Sequence, residues 1–122
     1  MALVISACLI VAGIIHLLPL PGVLGADWLN RLYGVAPGDP DMLIMMRHRA
    51  LLFGVLGAVM IGAAFRPEWQ GLAVAAGLVS AAGFLALAWQ TGGYSPSIGR
   101  VVAADLLAVA ALCAAAVMLA WC

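Results

Sequence analysis

Seven side chains in this sequence have types and positions that could do chemistry together: His16, Arg47, His48, Arg49, Gln90, Arg100 and Asp105. Three guanidiniums, two imidazoles, an amide and one carboxylate make a set suited to gripping an anion. Arg offers a planar fork of donors that matches carboxylate and phosphate oxygens, and His and Gln add hydrogen bonds. Asp105 has two further roles open to it. Paired with an Arg it would fix the register of two helices; in apolar surroundings it would mark a proton or cation path. Arg47, Arg49 and Arg100 are the candidate partners, with Arg47 favoured because it shares a helix face with Ala50 and Gly54.

Other chemistries have less to rest on. His16 and His48 would serve as two axial ligands of a haem if they met across facing helices, but no CxxCH accompanies them. A zinc site needs three or four ligands, and the nearby acids fall mostly in a loop. Cys8, Cys113 and Cys122 form no CxxC. They are expected as small apolar packing residues, with a Cys8–Cys113 disulfide as the alternative. No GxSxG and no glycine-rich GK[ST] loop is present.

The elements that must position these residues follow from composition. The 122 residues are 67% hydrophobic and 8% charged, against about 25% charged in a soluble domain. About 20 apolar residues span a bilayer, and the sequence holds four such runs, near 2–18, 42–65, 69–91 and 97–121. This excludes a soluble globular domain and a secreted disulfide scaffold. All five basic residues are Arg, the formal net charge is zero, and there is no basic tract, so no nucleic-acid partner is expected. No Lys or Arg precedes the first run and no small-x-small site follows it, so it is expected as a retained helix rather than a signal peptide.

Between the first two runs lies a polar connection, 19–41. In it Ala26 to Tyr33 places Trp28, Leu29, Leu32 and Tyr33 at helical spacing, which predicts a short interfacial helix ended by Gly34. Pro37-Gly38-Asp39-Pro40 is turn chemistry. The fold class is therefore all-α integral membrane, one domain over 1–122, as a four-transmembrane-helix up-down bundle. Small residues every fourth position, at Ala50, Gly54, Ala58 and Gly62 and at Ala73, Gly77 and Ala81, predict close packing of spans two and three. The same faces offer the alternative of a homo-oligomer. Arg31, Arg47, Arg49 and Arg100 fall on one side of such a bundle and only Arg66 on the other. The positive-inside rule then puts the 1–2 and 3–4 loops in the cytoplasm and both termini outside. All seven candidate residues converge at that loop-side end.

The runs Gly13-Ile14-Ile15-His16-Leu17-Leu18-Pro19, Arg47-His48-Arg49-Ala50-Leu51-Leu52-Phe53-Gly54 and Arg100 to Asp105 (RVVAAD) resemble those of short bacterial four-helix membrane proteins of the DoxX-like and related uncharacterised type. The resemblance covers nearly the whole chain and implies a bacterial inner-membrane location; it carries no agreed activity. Some members of that group bear the inherited name phosphopantetheine adenylyltransferase, but the HxGH motif of the soluble enzyme is missing here. Small multidrug-resistance transporters are not matched at their own key residue, an acid in the first helix. Nor are the membrane glutathione enzymes, whose RAxxN-like run is replaced by Arg49-Ala50-Leu51-Leu52-Phe53.

Three functions remain open on these residues. The leading one is a non-enzymatic protein whose loop-side Arg/His/Asp pocket binds a polar or anionic lipid, quinone or metabolite headgroup, alone or as a subunit of a larger membrane assembly. The second is a small oligomeric transporter or channel using Asp105. The third is a membrane enzyme acting on a lipid-soluble substrate through His48 or Arg49.

Overall fold

In a computed structural model that describes residues 2–34 and 38–121, the chain is helical nearly throughout. The expected turn at Pro37 and the cysteine at position 122 lie outside the described residues, as do the side chains of Ala26 and Tyr33. Among the described residues five α-helices follow one another: α1 Ala2–Leu17, α2 Ala26–Tyr33, α3 Pro40–Ala64, α4 Pro67–Thr91 and α5 Pro96–Trp121. Four segments among the described residues are long and apolar enough to cross a membrane: Ala2–Leu24, Pro40–Ala64, Pro67–Thr91 and Pro96–Trp121. The first reaches further than its apolar run suggests. After Leu17 the chain continues as a 3-10 helix over Leu20–Leu24, because Pro19 and Pro21 lack the donors an α-helix needs but tolerate a tighter turn.

The last three helix starts share one device. Pro40, Pro67 and Pro96 each open a helix at its first position, where the missing N–H is not needed and the fixed φ is already helical. Asp39 adds a cap: its Oδ1 accepts from the Asp41 N–H at 2.9 Å. Gly34 ends α2 with φ 68°, its N–H donating to the Asn30 carbonyl at 2.8 Å. A side chain there would be strained in the left-handed region.

The long helices form a ring in chain order. α1 packs on α3 and α5, and α4 packs on α3 and α5, with little contact across the α1–α4 diagonal. Leu9, Met60 and Leu112, all fully buried, fill the centre with Ala12, Ala63, Ala73 and Ala115. Gly34 lies against Ser97, and the Ser6 hydroxyl donates to the Ala64 carbonyl at 2.6 Å. The 1–2 connection and the α4–α5 loop thus share one end of the bundle, and the start of α1 shares the other with the α3–α4 turn.

The small-residue faces pack otherwise than their spacing predicts. The largest interface is α1 with α3, and the smallest in the ring is α3 with α4. Ala50 and Gly54 on α3 face Gly22 and Leu20 of the first segment, and Gly57 meets Gly13 backbone to backbone. Ala58 is exposed. On α4, Gly77 does face inward, towards Met60 and Leu112. The reason is the first segment itself. Its 3-10 extension adds a surface against which α3 buries its glycines, so α3 spends its closest approach on α1 rather than α4.

Candidate functional site at the loop end of the bundle

The loop end gathers Arg31, Arg47, His48, Arg49, Arg100 and Asp105, but not into one cluster. A cavity of about 240 Å³ opens between α1, α2 and α5. Its polar wall is Arg31, Arg100 and Asp105, and its apolar wall is built from Ile15, Leu18, Leu32, Val101 and Ala104, with Pro19 at the bend. Two turns of α5 supply Arg100, Val101, Ala104 and Asp105, which fall on one face at helical spacing. The amphipathic α2 lies over the opening and lends Arg31 and Leu32. It is held down by Leu29, which is fully buried and packs on Gly22.

Both guanidiniums at this cavity are exposed at the rim. Arg100 Nη2 donates to the Ser97 hydroxyl at 3.2 Å, and the Arg31 guanidinium lies 5.2 Å from the centre of the Trp28 ring. Those contacts orient the two Arg without neutralising either. Asp105 is half-buried deeper along α5, and the charge that acts on it most directly is that of Arg49.

Arg47 is therefore not the partner of Asp105. Its Nε–H donates to the Val23 carbonyl at 2.7 Å. That carbonyl ends the 3-10 helix, where the last carbonyls have no helical donor, so Arg47 ties α3 to the first segment. Arg49, two residues on, points elsewhere, as residues two apart on a helix do. Its guanidinium packs over the Phe53 ring at 4.5 Å and the Phe84 ring at 5.6 Å, cation–π geometry suited to a partly desolvated site.

A second opening of about 300 Å³ lies between α3 and α4, lined by Met45, His48, Arg49, Leu52, Phe53, Leu56 and Ser80. His48 is exposed there, and Gln90 stands exposed on α4 apart from both openings. His16 is the opposite case, at 3% exposure. Its Nδ1 lies 2.8 Å from the Ala12 carbonyl, an oxygen that can only accept, so Nδ1 carries the proton. In the neutral ring Nε2 then accepts from the Ser80 hydroxyl at 3.1 Å. The pair links α1 to α4 across the diagonal of the bundle, with Phe53 tilted against the imidazole at 5.7 Å.

This geometry does not suit a haem. An axial ligand needs a free ring nitrogen, and both nitrogens of His16 are taken while His48 opens outward. Among the described residues no three His, Cys, Asp or Glu side chains converge on a point. Cys8 and Cys113 are free thiols, the first half-buried against the core and the second exposed. Arg31 and Ser80 are the residues that spacing did not single out: Arg31 reads as an interfacial charge, and Ser80 as one hydroxyl in an apolar helix. No family model, curated protein or solved structure matches the chain.

Proposed function

We propose that this chain is a multi-pass protein of a bacterial inner membrane, with the Arg-rich loop end in the cytoplasm and both termini outside. In this reading it binds the polar or anionic headgroup of an amphiphile in the α1–α2–α5 cavity, without turning it over. The carrying observation is the cavity's two-sided wall, with Arg31 and Arg100 at the rim and an apolar lining beneath. The wall sets two guanidiniums against one carboxylate, Asp105, so its formal charge is positive and favours an anion.

Size supports a headgroup rather than a whole small molecule. Sites that enclose a drug-sized ligand hold about 300–1,000 Å³, and this one holds about 240 Å³. The rest of the ligand then lies outside the cavity, along the apolar surface of the helices. The bacterial inner membrane is what the likeness to DoxX-like membrane proteins implies; that likeness is silent on the ligand. A role as subunit of a larger membrane assembly is compatible with the same site.

The test is thermal unfolding of detergent-purified protein titrated with anionic and zwitterionic phospholipids. Anionic lipid is expected to raise the midpoint, as any ligand that binds only the native state does. Arg31→Ala and Arg100→Ala should each weaken that effect at least tenfold in lipid concentration. Equal shifts with zwitterionic lipid, or shifts untouched by either substitution, would overturn the reading.

A further inference from the structure

The order of groups down the cavity says more about its ligand, on the premise that it binds an amphiphile's headgroup. Arg31 and Arg100 stand at the rim, whereas Asp105 lies five residues further along α5, or about 7.5 Å deeper at about 1.5 Å per residue. Beyond the rim the wall is otherwise apolar. A bound molecule must therefore present an anion at the rim, a hydrogen-bond donor at the depth of Asp105, and hydrocarbon against the apolar wall around them, Val101 and Ala104 on α5 included. A diacyl phospholipid fails at the second of these, because both glycerol oxygens below its phosphate are esterified and cannot donate.

We infer that the cavity binds a single-chain glycerophospholipid with a free glycerol hydroxyl. Its phosphate oxygens accept from the guanidiniums of Arg31 and Arg100, a charge-assisted contact for which the Arg fork is suited. The glycerol hydroxyl donates to the Asp105 carboxylate. The chain leaves past Ile15 and Ala104 along the seam between α1 and α5. Asp105 thereby sets specificity: it rewards a hydroxyl and leaves an ester or ether at that position with a carboxylate stripped of water and no donor.

Four probes separate the parts of this claim on the full-length protein in uncharged detergent: 1-oleoyl lysophosphatidate, its 2-O-methyl ether, dioleoyl phosphatidate and glycerol 3-phosphate. Occupancy is read by native mass spectrometry. Lysophosphatidate is expected to bind about tenfold tighter than the methyl ether or the diacyl lipid, the discrimination a charged hydrogen bond supplies. Asp105→Ala should erase the preference for hydroxyl over methyl ether. Ala104→Leu, which narrows the cavity and touches no charge, should lose lysophosphatidate while the unfolding midpoint without lipid holds. Equal binding of lysophosphatidate and dioleoyl phosphatidate, both dependent on Arg31 and Arg100, would overturn this inference and leave the headgroup reading standing. Glycerol 3-phosphate binding as tightly as lysophosphatidate would overturn it as well, making the ligand a water-soluble phosphate. Failure of every anionic probe would remove both.

Discussion

Arg47 and Arg49 show how much one residue's direction decides. Arg47 donates to the Val23 carbonyl, so Arg47→Ala should cost about 1 kcal/mol of stability, the usual net worth of one hydrogen bond, and leave anion binding unchanged. Arg100→Ala should do the reverse. It is exposed at the cavity rim, so stability should hold within about 0.5 kcal/mol while anionic lipid is lost. Chemical denaturation and lipid titration of both variants separate the two roles, and a swap of these phenotypes would refute the assignment. His16 and Ser80 invite a double-mutant cycle. Intramembrane side-chain hydrogen bonds average about 0.6 kcal/mol of coupling, and purely additive losses in His16→Ala and Ser80→Ala would mean that the 3.1 Å contact contributes nothing. At this scale the sequence revealed the candidates but not their partners. Arg47 and Arg49 are alike in type and two residues apart, and only the fold of 19–24 gives Arg47 a carbonyl to reach. Ser80 could not be read at all, since a lone hydroxyl among apolar residues has no spacing signal.

Helix positions were far more legible than helix partners. Hydrophobic runs locate the last three spans to within two residues, and the small offsets at 40, 67 and 96 come from prolines, which open helices rather than precede them; the first span, expected to close at 18, runs on to Leu24. Which glycine faces which helix was not legible, because Ala and Gly are spread over every face. The structure sorts them. A Cβ on Gly57 would sit 2.7 Å from the Gly13 carbonyl oxygen, and one on Gly13 would sit 2.9 Å from that of Gly57. Backbone cannot give way as a side chain can, so Gly57→Ala should force α1 and α3 apart and cost about 1–3 kcal/mol. Gly71 and Gly83 on α4 have nothing within 4 Å, so Gly83→Ala should be neutral or stabilise by up to about 1 kcal/mol through helix propensity. Unfolding of the two variants side by side reads the contrast. Equal effects would contradict the close crossing of α1 and α3.

On the scale of the whole molecule, the outside is as apolar as the inside. Leu3, Leu72, Trp89 and Trp121 are 86%, 78%, 84% and 82% exposed, and no more than 28% of the apolar 18-residue stretch of any candidate span is buried. A soluble monomer rarely shows contiguous apolar patches beyond a few hundred Å², and the proposed membrane location would cover this surface with lipid. α3, with 25 residues, is about 37 Å long at about 1.5 Å per residue, against a hydrocarbon core of about 30 Å. In the proposed membrane placement that excess would put its first turns at the interface, near the polar groups of the loop end. The proposed orientation predicts that a cysteine at Asp39, in a chain whose own cysteines are replaced, reacts with an impermeant thiol reagent only after the membrane is opened. A cysteine at Glu68 should react in intact cells, and the opposite pattern would invert the topology. The central claim is anionic-headgroup binding between α1, α2 and α5, and native mass spectrometry of gently extracted protein tests it most directly. The account predicts a retained anionic amphiphile on the wild-type chain that disappears in the Arg31→Ala, Arg100→Ala double variant while the fold persists. A wild-type chain that leaves the membrane bare, or a ligand retained equally by the double variant, would contradict it.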